Sequence, residues 1–353
     1  MNRSVGTPGR RRPRGITTST GMRDVARLAG VSIGTVSNTI NRPDMVRPDT
    51  REAVLKAIEE LGFVPNQQAR VLSGASSRVI GLVVLDVGSP FFMSMALAVE
   101  KAANEAGYAM MLCNSGGSAA KEKDLLAMLA AQRVLGVLLT ASGRPDRAKH
   151  HDSPVPLVHL GYPGGANDCS VYVDERAGAR AAAEHLLALG HERIAYVGGT
   201  RSLRHFEERR AGIHSAVIAA GLDPEVTLVD ASVDGGFGTE QGITAAQQLL
   251  EGDLPTAIMC GNDMLAFGVY KGLHRAGVRV PDDVALVGYD DIDFAADWVV
   301  PLTSVRQPTH HIGDGGARLL IEHATGGPGH VHRHVVLQPE LMVRQSSDPR
   351  ATS

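Results

Sequence analysis

From residue 79 onward, short apolar runs of β type alternate with helical segments, and this alternation restricts the possible folds more than any other feature of the chain. The runs cover 79–87, 108–113, 134–140, 156–160, 193–198, 256–260 and 284–288. Helical patterns fall between them near 91–106, 119–132, 175–189, 206–220, 239–251 and 263–276. Several stop at glycine: Gly107, Gly190, Gly221, Gly252 and Gly277. Strands that are apolar on every residue are buried on both faces, so parallel sheets covered by helices are expected. A stretch of roughly 270 residues is long for one core, so two lobes are expected.

Residues 22–62 have a different texture. Asp24-Val25-Ala26-Arg27-Leu28-Ala29 carries an apolar stripe and stops at Gly30. Ser32 is a good N-cap for a second helix, with Val36 and Ile40 on its buried side and Asn41-Arg42-Pro43 ending it. A third helix is expected from Pro48 to Leu61, closed by Gly62. Val25, Leu28, Val36, Ile40, Val54, Ile58 and Leu61 are the expected core of this unit. The layout is that of a helix-turn-helix, although an αα-corner of a bundle shares the pattern.

Charge divides along the same boundary. The net charge of −3 argues against a nucleic-acid partner only as an average. Residues 1–75 hold 12 Lys+Arg against 6 Asp+Glu, and the rest of the chain holds 23 against 32. A basic head thus precedes an acidic body. Residues 1–20 read as a disordered tail: a solvated segment, a misassigned start, or five arginines that touch polyanions. Residues 65–74 form an amphiphilic stretch too short to hold a helix alone.

Several classes are excluded. Cys113, Cys169 and Cys260 are too few and too irregular for a disulfide scaffold, and a reducing compartment fits them. No run is long enough for a membrane span, and the basic N-terminus lacks the apolar segment of a secretory signal, so a cytoplasmic protein is expected. Gly30-Val31-Ser32-Ile33-Gly34 matches the nucleophile-elbow pattern but follows a helix, where the elbow needs a strand. No phosphate loop or zinc-protease motif is present, and no resident cofactor is expected. His330, His332 and His334 alternate on one side of a strand without a cysteine or carboxylate at ligand spacing. They are expected to be solvated edge residues, with no metal site. The cysteines, without an evident partner base, are expected to be buried small hydrophobes.

At this point the residues carry a family. Asp24-Val25-Ala26, Ala29-Gly30-Val31-Ser32 and Thr35-Val36-Ser37 resemble the LacI/GalR family of bacterial transcription regulators, as do Thr50-Arg51 and Pro65-Asn66 with Ala69-Arg70 and Leu72. The likeness continues through Ile80-Gly81-Leu82, Gly190-His191, Cys260-Gly261-Asn262-Asp263 and Val280-Pro281-Asp282-Asp283-Val284. It ends with Val287-Gly288-Tyr289-Asp290-Asp291 and Pro339-Glu340-Leu341.

The resemblance implies an all-α helix-turn-helix domain followed by a two-lobed α/β sensor of periplasmic-binding-protein type. The expected boundaries are a tail at 1–20, the DNA-binding domain at 21–64, a hinge helix and linker at 65–77, the sensor at 78–346 and a polar tail at 347–353. Chain crossovers between lobes are implied near 174–177, 304–308 and 336–338. The second helix would lie in the major groove, with Ser32, Ile33, Gly34, Thr35, Ser37 and Asn38 at the DNA. Ile33 suits a thymine methyl, Thr35 and Ser37 suit phosphates, and Asn38 stands where many members carry arginine, which turns the expected contact from guanine toward adenine. Asn66, Ala69 and Leu72 would belong to a hinge helix that folds on DNA and wedges Leu72 between base pairs. A plain linker with Leu72 docked on the body is the alternative.

In the body, Phe91, Arg209, Asn262, Asp290 and Trp298 are the implied effector contacts, with Tyr289 as a further stacking face. Asp263 is expected to cap a helix and Asp291 to shape a turn. The implied partners are operator DNA, a small-molecule effector of sugar type and a second copy of the chain. The expected function is that of a ligand-responsive repressor acting as a homodimer, by induction or corepression. A sugar-binding protein without a DNA role and an enzyme on the same α/β scaffold are the competing readings.

Overall fold

Gly30 makes the first decisive turn, taking φ +66°, a left-handed value that frees its neighbours to be helical. The structure, a computed structural model, describes residues 21–63, 77–143, 155–165, 167–199, 203–348, 350 and 351. The chain divides into two units, one up to Ser76 and one from Ser77.

In the first unit α1 (Met22–Ala29), α2 (Ile33–Asn41) and α3 (Pro48–Glu60) surround one small core. Val25, Ala26, Val36, Val54 and Ala57 are buried there, with Ile40, Ile58, Leu61 and Phe63 packed around them. Leu28, expected in this core, is instead 46% exposed, and the smaller Ala26 takes the inward position. Asp24 accepts a hydrogen bond from the Gly21 amide at 3.0 Å and so caps α1. Lys+Arg and Asp+Glu balance within residues 21–63, so the head's positive excess comes from residues 1–20 and Arg70. Those lie outside the described residues, as do Asn66, Ala69 and Leu72.

The second unit contains two six-stranded sheets. The first is built from β1 (Val79–Val84), β2 (Ala109–Asn114), β3 (Val137–Leu139), β4 (Leu157–Leu160), β5 (Cys169–Val173) and β11 (His334–Leu337). Its order is β11-β5-β4-β3-β1-β2, parallel throughout. The second holds β6 (Ile194–Val197), β7 (Leu228–Asp230), β8 (Ala257–Cys260), β9 (Ala285–Asp290), β10 (Thr303–Arg306) and β12 (Glu340–Met342). Its order is β12-β10-β9-β8-β6-β7, and only β12 runs antiparallel. The chain passes between sheets after β5, after β10 and after β11.

Helices α4 (Pro90–Glu105), α5 (Ala119–Ala131), α6 (Glu175–Ala188), α7 (Arg204–Ala219), α8 (Pro224–Thr227), α9 (Thr239–Leu250), α10 (Asp263–Arg275) and α11 (Thr309–Thr325) complete the unit. The pair α9–α10 packs backbone against backbone. A Cβ on Gly242 would sit 2.2 Å from the Leu265 carbonyl oxygen, and one on Gly268 would sit 2.1 Å from that of Thr239. The polar tail begins later than the sequence suggests. Ser347 is buried, and its hydroxyl meets Thr303 Oγ1 at 2.6 Å and His185 Nε2 at 2.9 Å, which satisfies three polar groups inside the lobe. Among the described residues no helix is long and apolar enough to cross a membrane.

Candidate functional site

Ser32 starts α2 by accepting the Thr35 amide on its Oγ at 3.1 Å, and the two hydroxyls meet at 2.9 Å. This cap leaves Ile33, Gly34 and Asn38 exposed on the outer side of the helix, opposite the buried Val36 and Thr39. Ile33 is 43% exposed although apolar, so the start of α2 presents a greasy contact beside hydroxyls and an amide. Ser37 and Thr35 are half-buried, and Ser37 Oγ accepts a hydrogen bond from Asn41. Such a surface matches what base edges and phosphates offer.

The second unit holds a cleft between its sheets, with about 680 Å³ of free space when its open mouth is included. Phe91, Phe92 and Met95 of α4 line one side, with Thr140 and Leu160 to Tyr162 from strand ends. Arg204, His205, Arg209, Phe237, Asn262, Asp290 and Gln307 line the other, with Glu175. Glu175, Asn262, Asp290 and Gln307 sit at or just beyond the carboxyl ends of parallel strands, where open α/β sheets place their ligands, and Arg204, His205 and Arg209 reach in from α7.

Arg209 organises the polar wall. Its Nε donates to Glu175 at 2.8 Å, a second nitrogen donates to the Gly261 carbonyl, and a third lies 3.6 Å from Asp290 Oδ1. The guanidinium also lies over the Tyr289 ring, 3.5 Å from its centre. Burial opposes the arginine's charge, but Glu175, Tyr289 and Asp290 outweigh burial and keep its pKa above the ordinary value. Asp290 is also raised, which for a carboxyl favours the neutral form. Burial raises its carboxyl to about 7, although Arg209 and a 2.7 Å hydrogen bond from Gln307 pull it down. The Asp290 backbone sits at φ +103°, a costly value for an L residue, and is held by the Gln307 amide. His205 is kept far below the usual histidine range, first by burial and then by Arg209.

Both units have known counterparts. Residues 21–66 match the model of bacterial regulatory proteins of the lacI family, and residues 183–347 match that of the periplasmic binding protein-like domain. The HTH-type transcriptional regulator CelR of Thermobifida fusca is 38% identical over 333 residues, which span 91% of this chain and 96% of that protein. The chain belongs to the lacI family of bacterial regulatory proteins. The HTH-type transcriptional repressor PurR of Photobacterium profundum is 34% identical over 92% of the chain and 98% of its own length. Among solved structures, a CelR–cellobiose complex is 35% identical with a TM-score of 0.69, covering 93% of this chain and all of that one. The lac repressor dimer bound to operator and the anti-inducer ONPF is 27% identical with a TM-score of 0.82, covering 94% and 99%.

Of the effector contacts implied for this lacI-family chain, the structure brings Phe91, Arg209, Asn262 and Asp290 to the one cleft. Trp298 does not line it: its ring packs on Phe267 with centroids 4.1 Å apart. Tyr289 is covered by the Arg209 guanidinium and serves that arginine as a platform. Asn262, not Asp263, caps α10, with its Oδ1 on the Leu265 amide at 2.8 Å and its Nδ2 on the Phe237 carbonyl at 3.0 Å. Asp263 is buried and receives Ser304 Oγ at 2.6 Å and the Ile292 amide at 2.9 Å. Glu175 and Gln307 were not anticipated from the sequence. Their position directly after β5 and β10 is the signal that finds them. Cys169 also departs from expectation, since the fold sets it against His330 and His332 from far along the chain.

Proposed function

We propose that this chain is a sequence-specific transcriptional repressor whose grip on operator DNA is set by a sugar in the interlobe cleft. The carrying observation is the convergence of Arg209, Asn262 and Asp290 opposite Phe91, in a chain whose helix-turn-helix and α/β units both align with operator-bound lac repressor. An arginine fork and a carboxylate suit vicinal hydroxyls, and the Phe91 side suits the apolar face of a pyranose. The CelR complex with cellobiose supports the same ligand class. Exposed Leu97, Met111 and Leu112 of the first lobe, together with the dimeric lac repressor, support a homodimer. The relatives are transcriptional regulators, and this chain is read as one rather than as an enzyme.

In this reading Ser32, Ile33, Gly34, Thr35, Ser37 and Asn38 meet the major groove, and Asn66, Ala69 and Leu72 the minor groove. A ligand that prefers one lobe arrangement shifts the population that holds DNA. The test is selection of a pseudo-palindromic duplex from a randomised pool, followed by binding at rising salt and with cellobiose, ribose and lactose analogues. With six or more phosphate contacts, affinity should fall about 1,000-fold or more between 50 and 200 mM salt. A sugar that binds should move operator affinity, upward for corepression and downward for induction. Binding no duplex at low salt sinks the proposal.

Asn38 tests the reading more finely. The variant Asn38→Arg should select a duplex with guanine in place of adenine at the contacted position, by roughly 1–3 kcal/mol. An unchanged selected sequence would show that Asn38 does not read bases.

A further inference from the structure

At the far end of the first sheet from the cleft, four side chains with metal-binding atoms meet. Cys169 opens β5 and is buried. Its Sγ lies 3.1 Å from Nε2 of His330 and 3.5 Å from Nδ1 of His332. His323, in the last turn of α11, completes the group. One ligand atom from each of the four lies within 4.8 Å of the others. The His323 and His330 rings stack with centroids 4.4 Å apart, and His332 stands edge-on to both. The cleft opens at the other end of β5, four residues or roughly 13 Å along the strand.

Ordinary packing explains this poorly. A neutral imidazole has one donor and one acceptor, so three of them beside one thiol bring together more lone pairs than protons. The Nδ1 of His323 is buried with no hydrogen-bond partner among the described residues. His330 turns its other nitrogen, Nδ1, toward the Glu322 carboxylate at 4.0 Å, beyond hydrogen-bond length but within ion-pair range. Glu322 is itself held by Arg333.

We propose that Cys169, His323, His330 and His332 form a tetrahedral binding site for a divalent transition-metal ion, zinc foremost. One thiolate and three imidazoles suit that ion class, and a tetrahedral zinc site sets its ligand atoms roughly 3.3–3.6 Å apart. The two sulfur–nitrogen separations already stand close to that range, and the remaining ligands need only side-chain adjustment. Metal entry displaces the Cys169 proton to solvent, leaving a thiolate on the ion. The site ties the end of α11 and the approach to β11 onto β5, and β11 then leads across to the other lobe. The ion would therefore brace a lobe-crossing strand.

The experiment uses the full chain, reduced and stripped with a chelator, and titrated with cobalt(II) alone. One equivalent should bind with the strong visible bands of tetrahedral cobalt and a sulfur-to-cobalt charge-transfer band, and zinc should displace it. Cys169→Ala should lose the charge-transfer band. His332→Ala, at an exposed ring, should bind at least ~10-fold more weakly while keeping the wild-type melting temperature without metal. Glu322→Gln should weaken binding about 10-fold or more. Zinc should raise the melting temperature of the wild type and not of Cys169→Ala. Weak octahedral cobalt spectra, or spectra unchanged in Cys169→Ala, overturn the proposal.

Discussion

Replacing Arg209 with alanine should abolish the response to the cleft ligand and destabilise the α/β unit by about 3–5 kcal/mol. For a unit of this size that is a fall in melting temperature of roughly 6–10 °C. The side chain is 4% exposed and engages Glu175, the Gly261 carbonyl, Asp290 and the face of Tyr289 at once. Its removal strands two buried carboxylates without their cation, and burial of an unpaired charge dominates the cost. Arg209→Lys should recover only part of both losses, because an ammonium keeps the charge but not the planar fork or the stacking. Operator affinity without ligand should survive in Arg209→Ala, because α1, α2 and α3 have a core of their own. Calorimetry with ligand titration checks the first pair of effects and gel shift the last. A variant with wild-type melting temperature and ligand response overturns the assignment of Arg209 as the organiser of the cleft.

What the sequence made legible follows from how locally each feature is encoded. The seven apolar runs each overlap a strand, because a strand covered on both faces must be apolar along its length; β2, at the sheet edge, is the exception, apolar although Met111 and Leu112 are exposed. The strands that were not anticipated lack that signature. In β10 the inward Thr303 and Ser304 are polar and buried, and their hydroxyls are satisfied by Arg344 and Asp263, so the segment reads as a loop. The helix Thr309–Thr325 was hidden by Gly313, Gly315 and Gly316. Glycine weakens a helix in isolation, yet a Cβ at Gly313 would stand 2.5 Å from the Met95 carbonyl oxygen, so tertiary packing outweighs propensity there. Leu28 shows the reverse case, since a short helix with two apolar faces does not specify which one is buried.

The sites divide in the same way. Asn262 and Asp290 lie in motifs that the family resemblance carries, Arg209 is implied by the same resemblance, and all three reach the cleft. Glu175 and Gln307 belong to no such motif and are found only from the topology. The Cys169 cluster is further from sequence reasoning still, because 161 positions separate Cys169 from His330. Spacing rules for metal ligands assume ligands on one local element, and here a parallel sheet edge and a helix end bring them together.

Asp290→Asn should change the pH dependence of stability strongly. The folded carboxyl sits at about 7 against an ordinary 3.8, raised by burial. Below pH ~4 it is protonated in both folded and unfolded chains, and its contribution is fully present. As pH climbs from about 4 to 7 the unfolded chain releases this proton and the folded chain retains it, so stability falls across that window and levels off above it. The difference corresponds to a loss on the order of 4 kcal/mol. Asparagine mimics the protonated carboxyl and carries no such slope. The stability of the variant relative to wild type should therefore rise through pH 4–7 and hold constant beyond. Asp263 is raised first by burial and then by the Asp290 charge, so the substitution also relieves Asp263, and the difference between the two proteins reports the coupled pair. Ligand affinity should carry the matching signature. A sugar hydroxyl donates more strongly to the Asp290 carboxylate than to its neutral form, so wild-type affinity should climb as pH passes 7 while that of the variant stays flat. Urea unfolding and ligand titration at matched pH values measure both curves. Parallel curves for the two proteins would remove Asp290 from the titrating centre of the cleft.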